Sequence, residues 1–465
     1  MSQTWLVNLI LWTVFIYFIL LNLGYLMLNV LALWNLRHLS EDLVLDDLPQ
    51  AYTGAELPIS ILVPAYNEET NLAAAVRSML QLSYAEFEII VINDGSRDNT
   101  LQVLQQEFEL QPFPEAYRVQ LPSAPVRAIY RSRRYPQLRV IDKENGGKAD
   151  ALNAGINAAR YPLFCGVDAD SLLERDSLRR VVKPFLLHPH VVAAGGTVRV
   201  ANGCEVSGGF LTRVSLPRNF LALLQVLEYL RAFLFGRLGW SNMNAVLIIS
   251  GAFGLFRKEA VIAVGGYRRN TIGEDMELVV RLHRRLPEMG RPYRICFEPY
   301  PVCWTEAPED WGTLKNQRVR WQRGLAESLT YNWGLLRRPS AVGWLAFPFL
   351  LIFELFGPLI ELFGYLFTLY AAWHGWISWS AFGIFIMTAI LLGILLSLSG
   401  LLLEELSFHI YARPQELGKL LLAALLENLG YRQINSWWRI IGLWRWLTQR
   451  HGQWGEMRRK GHQQS

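Results

Sequence analysis

Charge is scarce in this chain. Of its 465 residues, 18% are Asp, Glu, Lys or Arg, while 52% are hydrophobic. A soluble globular chain carries about 25% charge, so a purely soluble enzyme is excluded. A disordered chain is excluded as well, because large apolar and aromatic residues abound. Cysteine is sparse. Cys165, Cys204, Cys296 and Cys303 show neither close pairing nor metal-ligand spacing, which sets aside a disulfide scaffold and a zinc site. Neither sign of charge dominates. The 45 Lys and Arg against 40 Asp and Glu leave a net charge of +5, too mild to argue for nucleic acid. What is abundant is Trp, with 17 residues, a side chain that gathers at membrane interfaces.

The apolar residues concentrate at the two ends. The run from 5 to 34 is almost uncharged, and about 20 apolar residues cross the hydrocarbon core. It lacks the basic start and the small-x-small cleavage site of a signal peptide, and it exceeds the about 15 apolar residues such a peptide carries. It reads as a transmembrane helix over 5–36. Two more spans are expected within 342–403, joined by a segment, 372–380, without Lys or Arg. Arg37, His38, Arg337 and Arg338 flank the middle of the chain, and Arg413, Lys419, Arg432, Arg439, Arg445, Arg450, Arg458, Arg459 and Lys460 follow the last span. The positive-inside rule then gives a multi-pass protein of the cell membrane with residues 37–340 in the cytoplasm. Residues 404–465 read as cytoplasmic interfacial helices with a basic tail. The segment 210–240 reads as interfacial too, with a core helix of the soluble domain as the alternative.

Between the apolar ends, short apolar runs alternate with helical spacing. ISILVP (59–64), FEIIVI (87–92), LRVI (138–141) and PLFCGVD (162–168) read as strands, with helices between them. That alternation predicts an α/β domain over 50–335, a mostly parallel sheet covered on both faces. The basic, Pro-rich stretch 111–136 reads as a surface loop. In such sheets, ligands bind beyond the carboxyl ends of the strands. Those ends carry Tyr66, Asn67 and Glu68, then Asp94, then Asp168 and Asp170.

Each motif has two readings. Asp168 and Asp170 have the spacing to hold a hard divalent cation together with substrate phosphates, or they cap a helix. Asp94, in Asn-Asp-Gly-Ser, is a ligand group or an Asx-turn. Asn145-Gly146-Gly147-Lys148 opens a helix, where glycines and a helix N-terminus suit a phosphate, or it is a plain helix start. Asp275 precedes an amphipathic helix as a general base or as a cap. Gln317, Arg320 and Trp321 share one helix face. They suit a diphosphate and a sugar ring, or they belong to a basic helix lying on the membrane.

Taken in order, VPAYNEE (63–69), VINDGS (91–96), NGGKADALNAG (145–155), FCGVDADS (164–171), ISGAFGLFRK (249–258), GED (273–275) and QRVRW (317–321) resemble the membrane-embedded, inverting family 2 glycosyltransferases. That group includes the synthases of hyaluronan, cellulose, chitin oligomers and poly-N-acetylglucosamine. The resemblance implies a GT-A-type, Rossmann-like cytoplasmic domain with transmembrane and interfacial helices. It implies that Tyr66, Glu68, Asp94, Lys148 and Asp168 bind the UDP-sugar. Asp170, with Asp168, would hold Mg²⁺ or Mn²⁺, and Asp275 would be the catalytic base. Gln317, Arg320 and Trp321 would sit by the diphosphate and acceptor, with Gly251 near the acceptor end. The family usually has Thr before Glu-Asp, and this chain has Gly273. The implied reaction transfers a sugar from a UDP-sugar to a growing polysaccharide, with export of a β-linked polymer among the membrane lipids. Three spans would form a pore with tight packing or with an accessory subunit. Single-sugar transfer to a membrane lipid, as in ceramide glucosyltransferases, is the alternative. A cyclic-dinucleotide-binding domain like that of the cellulose group is not expected after the last helices.

Overall fold

The computed structural model describes residues 2–46, 57–411 and 413–448, with side chains in the first helix described for 5–36. The expected basic tail with Arg450, Arg458, Arg459 and Lys460 lies outside the described residues. So do residues 50–56 and the side chains of Arg37 and His38.

The middle of the chain builds one ten-stranded sheet. Its strands are β1 (Ile59–Ala65), β2 (Phe87–Asp94), β3 (Leu110–Pro112), β4 (Val126–Ser132), β5 (Leu138–Lys143), β6 (Leu163–Val167), β7 (Leu172–Leu173), β8 (Val191–Val200), β11 (Phe253–Arg257) and β12 (Arg294–Thr305). A separate hairpin pairs β9 (Glu205–Ser207) with β10 (Phe210–Arg213). The order across the sheet is β3-β4-β5-β2-β1-β6-β11-β8-β12-β7. The block β5-β2-β1-β6 is parallel, with Ile61 opposite Ile89 and Val91 opposite Val140. These strands are buried on both faces, which is why each reads as an unbroken apolar run. Outside that block the sheet is mixed: β11 runs antiparallel to β6 and β8, and β12 parallel to β8.

Two segments depart from expectation. The stretch 111–136 is not merely a loop: β4 pairs antiparallel with β5, and β3 with β4, at the sheet edge. Within 126–132 Ile129 and Ser132 are buried and Arg127 is exposed without a regular two-residue alternation, so no clean strand pattern marks the segment. The segment 210–240 begins as strand β10. Its helix starts at Phe220, where the Asn219 side chain accepts from Ala222 N at 3.1 Å. This helix is deeply buried through Leu227 and continues as a π-helical turn, Leu230–Arg237.

Among the described residues, two helices are long and apolar enough to cross a membrane, Trp5–Leu36 and Trp379–Ser407. Between them, Val342–Leu355 and Gly357–Trp373 form a pair bent by 46°. Pro358, in the first turn of the second half, has no N–H to continue the helical ladder. Aromatic rings bind this group together, with Phe18 edge-on to Phe385, Tyr17 beside Phe353 and Tyr25 edge-on to Phe349. The final helices, Pro414–Leu426 and Arg432–Thr448, return along the α/β domain, and the second packs on the helix Trp311–Tyr331.

A buried charge network stitches the parallel block. Arg139 of β5, 2% exposed, donates to Glu88 of β2 at 2.6 Å and to Glu115 at 2.7 Å. Glu88 also accepts from Ser60 Oγ of β1 at 2.6 Å and from Arg160 N at 2.8 Å. Removing one partner of such a pair strands a charge in the interior. Replacing Glu88 with Ala should therefore cost about 3–5 kcal/mol of stability, read by denaturant unfolding in detergent. A loss under about 1 kcal/mol would mean that water reaches Arg139.

Candidate active site

The carboxyl ends of β1, β2, β5 and β6 open on one side of the sheet, and the loops that follow them are tied to each other. Asn67 has a φ of 56°. Its N–H donates to Ser96 Oγ at 3.0 Å, and its side chain accepts from Arg97 N at 2.9 Å. Glu68 N donates to Thr100 Oγ1 at 2.9 Å. The turn after β2 needs glycine: Gly95 has a φ of 68°, and a Cβ there would meet Asn145 N at 2.7 Å.

Asp94 is buried and fully engaged. It accepts from Lys143 Nζ at 2.5 Å, from Gly146 N at 3.0 Å and from Gly147 N at 2.7 Å. Lys143 also pairs with Asp150 at 2.8 Å. Asp94 thus folds the Gly-Gly loop and takes two of the N–H groups that the sequence offered to a phosphate. The group this loop delivers to the cavity is the Lys148 side chain. Its Nζ lies 2.5 Å from Asp168 and 3.6 Å from Glu274, and it donates to Gly251 O at 3.5 Å. Burial opposes the charge on Lys148, but the Asp168 and Glu274 carboxylates outweigh it and hold the ammonium above its ordinary range.

Asp275 sits in the first turn of the helix Glu274–Glu288. Gly251 N donates to its Oδ2 at 3.0 Å and Met276 N to its Oδ1 at 2.8 Å, so the carboxylate is held in one orientation. Its neighbour Glu274 is buried. Burial pushes Glu274 up to about 7, Lys148 opposes that, and Asp275 adds to it.

Gln317, Arg320 and Trp321 approach from the helix Trp311–Tyr331. Gln317 is buried, with no hydrogen-bond partner for its Oε1 among the described residues, whereas Trp321 is 44% exposed. Arg318 stacks 4.5 Å from the Trp321 ring and pairs with Glu228. This helix meets the Asp275 helix at a backbone contact. A Cβ on Gly273 would lie 2.9 Å from Gly324 Cα, and one on Gly324 the same distance from Gly273 Cα. The glycine that replaces the usual Thr thus lets the two motif-bearing helices touch.

All eleven residues singled out from the sequence line one cavity of about 2320 Å³: Tyr66, Glu68, Asp94, Lys148, Asp168, Asp170, Gly251, Asp275, Gln317, Arg320 and Trp321. The cavity continues between the apolar helices, past Tyr25, Glu354, Glu361, Leu396, Ser436 and Arg439. There Arg439 bridges Glu354 at 2.7 Å and Gln322 at 2.8 Å. Sequence reasoning missed Lys143, Glu228, Arg237, Glu274 and this last network. Glu274 had a signal, since it lies inside Gly-Glu-Asp. Among the described residues, no three His, Cys, Asp or Glu side chains gather as a metal cage. Asp168 and Asp170 alone fit a hard cation that completes its shell with phosphate oxygens and water, as Mg²⁺ does.

Comparison with known proteins agrees with this geometry. The model of glycosyl transferase family 2 matches residues 60–264, and that of glycosyl transferase family group 2 matches 164–398, just over half the chain. The chain belongs to the family 2 glycosyltransferases. It is 33% identical over 274 residues to a poly-beta-1,6-N-acetyl-D-glucosamine synthase of Staphylococcus aureus, covering 58% of this chain and 55% of the relative. It is 32% identical over 272 residues to the synthase of that name from Staphylococcus epidermidis, with the same coverage. The chain thus spans little more than half the length of these curated relatives. A solved mannosyltransferase from Pyrobaculum calidifontis, in complex with GDP-Man and Mn²⁺, shares the fold. Its TM-score is 0.52 at 17% identity, over 90% of this chain and 99% of that one.

The helix contact gives a test of the glycosyltransferase site. Gly273→Thr forces backbone apart at Gly324 and should cost about 1–3 kcal/mol, with turnover falling further than stability. Thermal unfolding and turnover of the variant check this, and an unchanged melting temperature would mean that the helices separate freely.

Proposed function

We propose that this protein transfers N-acetylglucosamine, with inversion, from UDP-N-acetylglucosamine to a growing β-linked polysaccharide at the cytoplasmic face of the cell membrane. The observation that carries the reading is the continuity of the cavity, which runs from the strand ends that collect the carboxylates to the space between the apolar helices. The names of the staphylococcal relatives support the sugar and the polymer. The helix 5–36, the bent pair 342–373 and the helix 379–407 are the spans, and residues 37–340 face the cytoplasm.

In this mechanism Tyr66, Glu68 and Asp94 form the nucleoside end, Asp94 by shaping the loop that carries Lys148. Asp170, helped by Asp168, would hold a divalent cation, Mg²⁺ or Mn²⁺, which would supply positive charge for the diphosphate. Lys148 neutralises Asp168, so the site does not gather excess negative charge where the diphosphate binds. Arg320, with Gln317 beside it, meets the charge that grows on the departing UDP, the electrostatic term on which catalysis leans most. Asp275, oriented by Gly251 N, takes the proton of the acceptor hydroxyl as that oxygen attacks the anomeric carbon. The new C–O bond forms opposite the breaking sugar–phosphate bond, so an α-linked donor gives a β-linkage. The exposed face of Trp321 is a flat platform for the acceptor sugar. Holding donor and acceptor in one cavity removes much of the entropic barrier.

Asp275→Asn should lower turnover by about 10²–10⁴-fold with inhibition by UDP retained. Near-normal turnover in this variant would remove Asp275 from the base role. Chelation should abolish turnover of UDP-N-acetylglucosamine into a polymer resolved by size, and Mg²⁺ or Mn²⁺ should restore it. Full activity in chelator would defeat the assignment of Asp170.

A further inference from the structure

The roof of the cavity holds a cation that the mechanism above does not use. Helix 220–241 passes over the site and widens into a π-helical turn at Leu230–Arg237. Such turns interrupt the regular ladder and recur at functional sites. Here the turn is pinned to the apolar helices, because Arg231 pairs with Glu427 and donates to Ser397 Oγ at 2.7 Å. Along the helix, Tyr229, Phe233 and Arg237 follow at four-residue steps. The rings of Tyr229 and Phe233 lie 5.5 Å apart, and the Arg237 guanidinium sits 3.6 Å from the Phe233 centroid. All three line the cavity.

Arg237 differs from several cations of the same cavity. Lys148, Arg231, Arg318 and Arg439 each pair with a carboxylate. The Nη1 of Arg237 is shut off from solvent and has no hydrogen-bond partner among the described residues. Burial pushes this guanidinium down to about 10, and the field of Asp275 resists the fall. A buried donor without a partner costs about 1–3 kcal/mol, a cost that a bound anion would remove. Position narrows the choice of anion. Tyr229, Phe233 and Arg237 line the same cavity as Asp170, Asp275 and Arg320, the cavity in which the diphosphate of the proposed donor lies.

We propose that Arg237 binds the diphosphate of the nucleoside-diphosphate donor, as a second guanidinium opposite Arg320. A guanidinium matches two phosphate oxygens at once, and the Phe233 ring holds its plane against the cavity. In this role Arg237 stabilises the departing diphosphate rather than the acceptor. The inference rests on the donor-binding reading of the cavity.

The test compares inhibition by UDP with inhibition by UMP, which lacks the second phosphate, for the full chain in detergent or lipid discs. For Arg237→Gln, the inhibition constant of UDP should rise about tenfold or more, a loss of about 1.4 kcal/mol, while that of UMP stays put. Arg237→Lys should fall between the variant and the wild type, and it carries the same readout should the Gln variant not fold. Equal weakening of UDP and UMP in both variants would mark a structural role and overturn the proposal. So would unchanged UDP inhibition with a shifted pH profile, since Arg237 would then act through Asp275. A wild type that ignores UDP would instead overturn the donor reading itself.

Discussion

One half-buried ammonium organises the site. Lys148 begins the helix after the Gly-Gly loop, yet its Nζ reaches Asp168 at the end of β6, Glu274 beside the proposed base, and the carbonyl of Gly251. Three segments far apart in the chain are thus held by a single charge. In a partly desolvated pocket that charge is worth far more than on the surface. It also explains how four acidic side chains, Asp168, Asp170, Glu274 and Asp275, share one cavity without forcing it open. Lys143 has the matching role in a deeper layer, where it draws Asp94 and Asp150 together and sets the loop from which Lys148 departs.

The second constraint is mechanical. The helix 311–331 faces the site with Gln317, Arg320 and Trp321 and faces the apolar helices with its next turn. Gln322 donates to the Glu354 and Leu355 carbonyls at 3.1 and 3.0 Å and accepts from Arg439 at 2.8 Å. Gly442 lies so close that a Cβ there would meet Val319 O at 2.8 Å. On its other side the same helix touches Gly273 through Gly324. Movement of the bent pair 342–373 would therefore be felt at Gln317, Arg320 and Trp321. Ionisable side chains among apolar helices carry functional weight, and Glu354 and Glu361 sit where the cavity enters that layer.

The central strands could be read from the sequence because a parallel strand buried on both faces is written as an unbroken apolar run, and the residues just beyond it are the ones the fold presents to a ligand. That rule found Tyr66, Glu68, Asp94, Asp168 and Asp170. Helix periodicity found the shared face of Gln317, Arg320 and Trp321. The strand 126–132, second from the sheet edge, was hidden because its arginines and the prolines around it read as a loop. The Arg139–Glu88 pair and the Lys143–Asp94 pair were hidden because β-sheet register, which no local pattern records, decides which charges meet. The glycines were read for a phosphate, but Asp94 claimed their N–H groups first, a competition visible only in three dimensions. The π turn that aims Arg237 had no local signature at all.

Segments far apart in the sequence converge on one cavity, and a shared donor would bind all of them. Hydrogen–deuterium exchange of the full chain, with and without UDP and Mg²⁺, measures that directly. Peptides covering 65–71, 94–97, 145–151, 249–253, 273–277 and 315–322 should gain protection together on adding the nucleotide. Protection confined to one of these stretches, or none in any of them, would contradict a shared pocket.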